Sequence, residues 1–140
     1  MRKKANLVAP SLLACDFAQL GNEARKAHKA GADWLHCDIM DGHFVHNISF
    51  GSPVVEAVAR YCPIFLDLHL MIDKPDHYLD RFLPYAGCIT VHLEANHNCR
   101  QSLQKIKNAG KLAGSNTPSG TIKLEKIQSV GLSAPIGTFF

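Results

Sequence analysis

The chain has 140 residues, 46% of them apolar, which is enough to bury a sizeable core in one domain. Its formal charge of +3 comes from scattered Lys and Arg, with only Arg2, Lys3 and Lys4 grouped at a solvated terminus, so no basic face points to nucleic acid. No apolar run has the length of a signal peptide or a bilayer span, which argues against a membrane and makes the cytoplasm the expected compartment, and the five separated cysteines form no C-x-x-C, which favours reduced, mostly buried thiols over disulfides or a zinc knot.

Short β-rich runs then alternate with stretches of helical period, the signature of βα units around a parallel sheet. "NLVAPSLLA" reads as a first strand. Asp16 can cap the helix "FAQLGNEARKAHKAG", whose Phe17, Leu20, Ala24 and Ala27 fall at helical spacing and which stops at Gly31. "DWLHCDIMD" is a second strand. A loop through "GHFVHNISFG" leads to the helix "SPVVEAVARYC", with Ser52 as N-cap and Pro53 at the first helical position. "IFLDLHLMI" reads as the third strand, "KPDHYLDRFLPYA" as a helical stretch that ends at Pro84, and "CITVHLEA" as the fourth strand before the helix "NCRQSLQKIKNAG". After Gly110 a Gly, Ser and Pro cluster breaks the pattern. A short helical stretch is readable over Ile122 to Val130, and no fifth strand is placed.

Period two within the strands sends His36, Asp38 and Met40 to one face and Leu35, Cys37 and Ile39 to the other. Asp67, His69 and Met71 likewise oppose Leu66, Leu68 and Leu70, and Thr90, His92 and Glu94 oppose Ile89, Val91 and Leu93. Three strands with one apolar and one reactive side favour a (β/α) barrel, whose outer face packs on helices, over an open sheet apolar on both faces. His36, Asp38 and His69 offer nitrogen, oxygen and nitrogen donors that can converge on a divalent ion, or that can simply bond to one another and to water. His43 and His46 form an H-x-x-H pair in a loop over the barrel mouth, without a helix to set their geometry. His28, His77 and His97 read as solvent-facing, and His92 and Glu94 as an extension of the inner polar network.

The segments "APSLLACDF", "HCDIMDGHFVHNISFG", "LDLHLMI" and "ITVHLEA" resemble, in order from Leu7 to Gly114, the successive motifs of the ribulose-phosphate 3-epimerase family. The resemblance implies a (β/α)8 barrel and interconversion of D-ribulose 5-phosphate and D-xylulose 5-phosphate by proton transfer at C3. It implies one divalent ion (zinc, manganese, iron or cobalt) on His36, Asp38 and His69, with Asp38 also one of two acid/base carboxylates. Ser11, His69, Met40 and Met71 would then touch the substrate, the two methionines cushioning the intermediate. The family's second catalytic aspartate and its phosphate loops come from later strands, and a full barrel takes roughly 200 residues or more. The expectation is therefore the N-terminal part of a barrel over residues 1–114, about its first four βα units, followed by a divergent tail over 115–140 that is poorly ordered or a remnant of the next unit. Such a chain would be truncated and inactive alone, and its open edges are compatible with a homo-oligomer. Two alternatives stand beside this reading: a 3-epimerase of another ketose phosphate such as allulose 6-phosphate, and a noncatalytic half-barrel that binds metal or a partner.

Overall fold

The structure is a computed structural model, which describes residues 6–116. Four parallel strands, β1 (Trp34–Met40), β2 (Phe65–Met71), β3 (Cys88–His92) and β4 (Leu112–Asn116), lie side by side in chain order. Between them run the helices α1 (Leu20–Lys29, before β1), α2 (Ser52–Tyr61), α3 (Leu79–Phe82) and α4 (Cys99–Asn108). Parallel neighbours need such crossovers, and a strand order without reversal is that of successive units in a (β/α)8 barrel rather than of a doubly wound sheet. None of the helices of the described residues is long and apolar enough to cross a membrane.

The helices form where the apolar spacing and caps direct them. Asp16 accepts from the Ala18 amide at 2.9 Å, starting a 3-10 turn over Phe17–Gln19 that runs into α1. Beyond α1, Gly31 takes the left-handed φ of +94° that closes the turn, as its place in the sequence implies. The residue before α2 that caps it is Gly51, with Ser52 already helical, a shift of one residue from the sequence reading. The segment after β2 is broken more than its pattern implies: a 3-10 turn over Pro75–His77 follows Lys74, whose φ is +47°, and only Leu79–Phe82 is α-helical.

One apolar core joins the outer face of the sheet to the helices. Leu35, Cys37, Leu66, Leu68, Leu70, Ile89 and Val91 are fully shielded against Ala24, Val55, Leu79 and Ile106. All five cysteines are free, with Cys37, Cys62 and Cys88 buried, and burial pushes the Cys37 and Cys88 thiols up to about 12.

Three readings of the sequence need correction. "NLVAPSLLA" is not a strand: Val8 and Pro10 lend carbonyls to Asp33, Trp34 and His36, Ser11 makes one isolated bridge to His36, and Leu12–Ala14 turns into a 3-10 helix. Pro10 has no N–H to return, so no ladder can grow. A further strand does exist after Gly110, as β4, and it crosses the boundary drawn at residue 114. Leu93 and Glu94 lie past the end of β3, both exposed, so the alternation of "CITVHLEA" stops at His92. The terminal basic residues, the remaining tail and the helix read over Ile122 to Val130 lie outside the described residues.

Candidate metal and substrate site

Parallel pairing places Trp34 to Met40 opposite Phe65 to Met71 one for one, so His36 faces Asp67, Asp38 faces His69 and Met40 faces Met71. Because side chains alternate, His36, Asp38 and His69 project together from the inner face, toward the C-terminal ends of their strands. Their ligand-type atoms all lie within 4.8 Å of one another, and the three residues are half-buried.

Asp38 is the centre of the arrangement. Its Oδ1 faces His36 Nε2 at 3.0 Å and His69 Nδ1 at 3.4 Å, while Oδ2 accepts the Ser11 hydroxyl at 2.8 Å. The isolated bridge at Ser11 is what brings that hydroxyl across from the preceding segment. Burial by itself would raise the Asp38 carboxyl, but its contacts with His36, His69 and Ser11 outweigh it and hold the group well below the usual carboxylate range. It is ionised at neutral pH.

His36 sits between two carboxylates, with Nδ1 at 2.8 Å from Asp67 Oδ2. Burial lowers its proton affinity, but the bonds to Asp38 and Asp67 overcome this and raise it to about 10. The space between His36 Nε2, His69 Nδ1 and Asp38 Oδ1 is one a divalent cation can take, and two imidazoles with one carboxylate fit such an ion while leaving coordination places open.

The network continues across the sheet. His69 Nε2 lies 2.8 Å from His92 Nε2, and His92 Nδ1 lies 3.3 Å from Glu94 Oε1. Burial and the neighbouring His69 hold His92 below its ordinary value, against the pull of Glu94. The ring of Phe44 packs at 5.1 Å from His92, so the loop after β1 lies against the site. Asp41 shapes that loop by accepting from the amides of His43 and Phe44 at 2.9 and 2.8 Å.

Of the residues singled out in the sequence, Ser11, His36, Asp38 and His69 come into direct contact, with the half-buried Met40 and Met71 paired beside them. His28, His43, His46 and His77 are exposed and join no such cluster, His43 approaching Asp73 only to 3.9 Å. His97 is not solvent-facing: it is half-buried, 2.8 Å from the His92 carbonyl and 2.7 Å from the Ser102 hydroxyl. Alternation puts Asp67 on the reactive face without assigning it a role. Its contact with His36 is set by strand register, which alternation within one strand does not reveal.

Comparison with known proteins bears on what this inner face belongs to. The family model for the ribulose-phosphate 3 epimerase family matches residues 7–130. The chain belongs to that family. It is 48% identical over 108 residues to ribulose-phosphate 3-epimerase of Bacillus subtilis, covering 76% of this chain and 50% of the relative. The corresponding enzyme of Rhodobacter capsulatus is 42% identical over 115 residues, covering 81% and 50%. The cytoplasmic isoform of rice is 39% identical over 132 residues, covering 92% and 58%. The chain thus spans about half the length of the curated epimerases it matches. Among solved structures, phospho-2-dehydro-3-deoxyheptonate aldolase of Thermotoga maritima superimposes with a TM-score of 0.54 at 13% identity, over 79% of this chain and 32% of that one, a likeness of fold alone.

Proposed function

We propose that this chain carries the N-terminal half of the active site of a cytoplasmic 3-epimerase acting on a phosphorylated ketose, D-ribulose 5-phosphate and D-xylulose 5-phosphate. The observation that carries the reading is the convergence of His36, Asp38 and His69 beside Ser11, in a chain of this family. The three residues would hold one divalent ion, zinc, manganese, iron or cobalt. Such an ion, when bound, polarises the ketone oxygen and stabilises negative charge on it.

The division of labour within Asp38 follows from its neighbours. Oδ1 is turned toward both histidines, whereas Oδ2 is turned toward the Ser11 hydroxyl, a partner that substrate can replace. Oδ2 is therefore the atom that takes the proton from C3, the C–H electron pair becoming the double bond of the enediolate as charge moves to the ketone oxygen. Ser11, released from the carboxylate, can hydrogen-bond the sugar. Met40 and Met71 supply polarizable thioethers with no acidic proton, suited to covering a planar intermediate and excluding water.

Inversion requires a second acid on the opposite face. Glu94 is exposed and turned to His92, and Asp67 is buried against His36. With neither of these acids on the opposite face among the described residues, the site is proposed to exchange the C3 proton from one face without inverting C3 at an enzymatic rate. Incubating the metal-loaded chain with ribulose 5-phosphate in D2O tests this, with deuterium at C3 read by NMR and xylulose 5-phosphate by a coupled assay. Exchange that vanishes in Asp38→Asn is expected. Exchange unchanged in that variant would remove Asp38 as the base, and robust, Asp38-dependent inversion would require a second acid within these residues or from a second copy.

A further inference from the structure

Each imidazole at the site has both ring nitrogens engaged, and the outer partners determine which nitrogen is left for the centre. Glu94 lies 3.3 Å from His92 Nδ1, and an ionised carboxylate can only accept. The proton of a neutral His92 is then on Nδ1, and its Nε2 carries a lone pair. That lone pair faces His69 Nε2 at 2.8 Å, a separation that calls for a single hydrogen between them. His69 must supply it. A neutral His69 with its proton on Nε2 presents the lone pair of Nδ1 toward Asp38 Oδ1, 3.4 Å away, which is long for a charge-assisted bond and consistent with two facing acceptors.

The same logic runs on the other side through Asp67. This carboxylate is 2% exposed, and its Oδ2 accepts from His36 Nδ1 at 2.8 Å, which leaves Nε2 as the nitrogen directed at Asp38 Oδ1. Its Oδ1 is buried with no hydrogen-bond partner among the described residues. A carboxylate kept for packing alone would be a poor choice, because an orphaned buried oxygen is destabilising and an apolar side chain would serve better.

The backbone is held in step with these side chains. The His92 carbonyl can only accept, so His97 donates to it from Nε2 at 2.8 Å, and the buried Ser102 hydroxyl of α4 meets His97 Nδ1 at 2.7 Å. The end of β3 is thereby tied to the helix that follows.

We propose that Asp67 and the Glu94–His92 pair are positioning residues, each setting the tautomer and ring orientation of one histidine, so that His36 Nε2 and His69 Nδ1 converge beside Asp38 Oδ1. The inference deepens the metal-binding reading above and rests on it for its purpose, while the hydrogen-bond order can be read without any metal. Outer partners of this kind typically contribute tenfold to a hundredfold to metal affinity.

Two measurements on the full chain decide it. In the metal-free protein with 15N-labelled histidine, long-range 1H–15N correlations should place the proton of His69 on Nε2 and that of His92 on Nδ1. Glu94→Gln, on an exposed side chain whose amide can either donate or accept, should mix the tautomers of both rings. Cobalt(II) titration followed by d–d absorbance should then show affinity about tenfold to a hundredfold weaker in Asp67→Asn, with unchanged far-UV circular dichroism, and a smaller loss in Glu94→Gln. Should Asp67→Asn fail to fold, Glu94→Gln decides alone. A wild-type His69 protonated on Nδ1, or cobalt affinity unchanged in the folded variants, would overturn the proposal. Tautomers as stated together with no cobalt spectrum in the wild type would instead overturn the metal reading.

Discussion

On the helix-facing side of the sheet Leu35, Leu68 and Ile89 have no exposed surface, whereas on the other side His36, Asp38 and His69 keep 15–18% of their side-chain surface in contact with solvent. The first face is organised by a force without direction, so any apolar side chain of the right volume serves. The second is organised by hydrogen bonds with fixed donors and acceptors, so each residue limits its neighbour. One sheet therefore separates the residues that hold the fold from those assigned to chemistry, and substitutions on the two faces should be readable by different measurements.

The largest expected effect lies on the inner face and is one of binding. Replacing both His36 and His69 by alanine should abolish saturable zinc or cobalt binding in a calorimetric titration, since it leaves one carboxylate ligand of three. Binding equal to wild type would remove this cluster as the metal site. The outer face should instead respond in stability: Leu68→Ala, at a side chain with no exposure, should cost about 2–5 kcal/mol in urea denaturation. A loss below that range would mean that the core collapses around the gap.

A smaller effect is expected where the faces meet at the sheet's last pair. A methyl added at Gly114 would lie 2.8 Å from the Thr90 hydroxyl oxygen, and Thr90 is buried, so Gly114→Ala should cost about 1–3 kcal/mol by the same denaturation measurement. Restoration by Gly114→Ala combined with Thr90→Ser is not expected, because the hydroxyl stays. Full tolerance of the single change would show that β4 can draw away from β3.

The smallest effect concerns the loop over the inner face. Burial raises the Asp41 carboxyl, but the amides of Asp73, His43 and Phe44 that it accepts from together outweigh it and hold it below its ordinary value. A carboxyl whose folded value is depressed contributes stability above its unfolded value, about 3.9, and loses it as pH falls through the folded value. Amide exchange at Phe44 and Asp73 should accordingly lose protection in that acid range before core amides such as that of Leu68. Parallel loss at all three would mean that the loop has no separate electrostatic anchor.

Much of this organisation was legible in the amino-acid order. The alternation of Leu35 to Met40 and of Leu66 to Met71 assigned each side chain to its face, because strand geometry alone sets period two. Asp16 and Gly31 marked a helix for equally local reasons. Reading failed where local preference and long-range contact disagree. Leu112–Asn116 has no β-branched residue and becomes a strand because β3 offers an unpaired edge and Gly114 allows the close approach to Thr90. "NLVAPSLLA" has the apolar character of a strand yet forms none, since Pro10 cannot donate and Ser11 turns the chain.

The residues of the candidate site were determined by sequence, as three donors at alternate positions on two strands. Their meeting was decided only by tertiary structure. A parallel register that pairs Asp38 with His69 and His36 with Asp67 could have slipped by two residues without altering which face any side chain occupies, and the alternation would read the same. What selects the observed register is the packing of the outer face against the helices, and that packing involves residues far apart in the chain. Asp67 acquires its hold on His36, and His92 its bond to His69, only once that register is made.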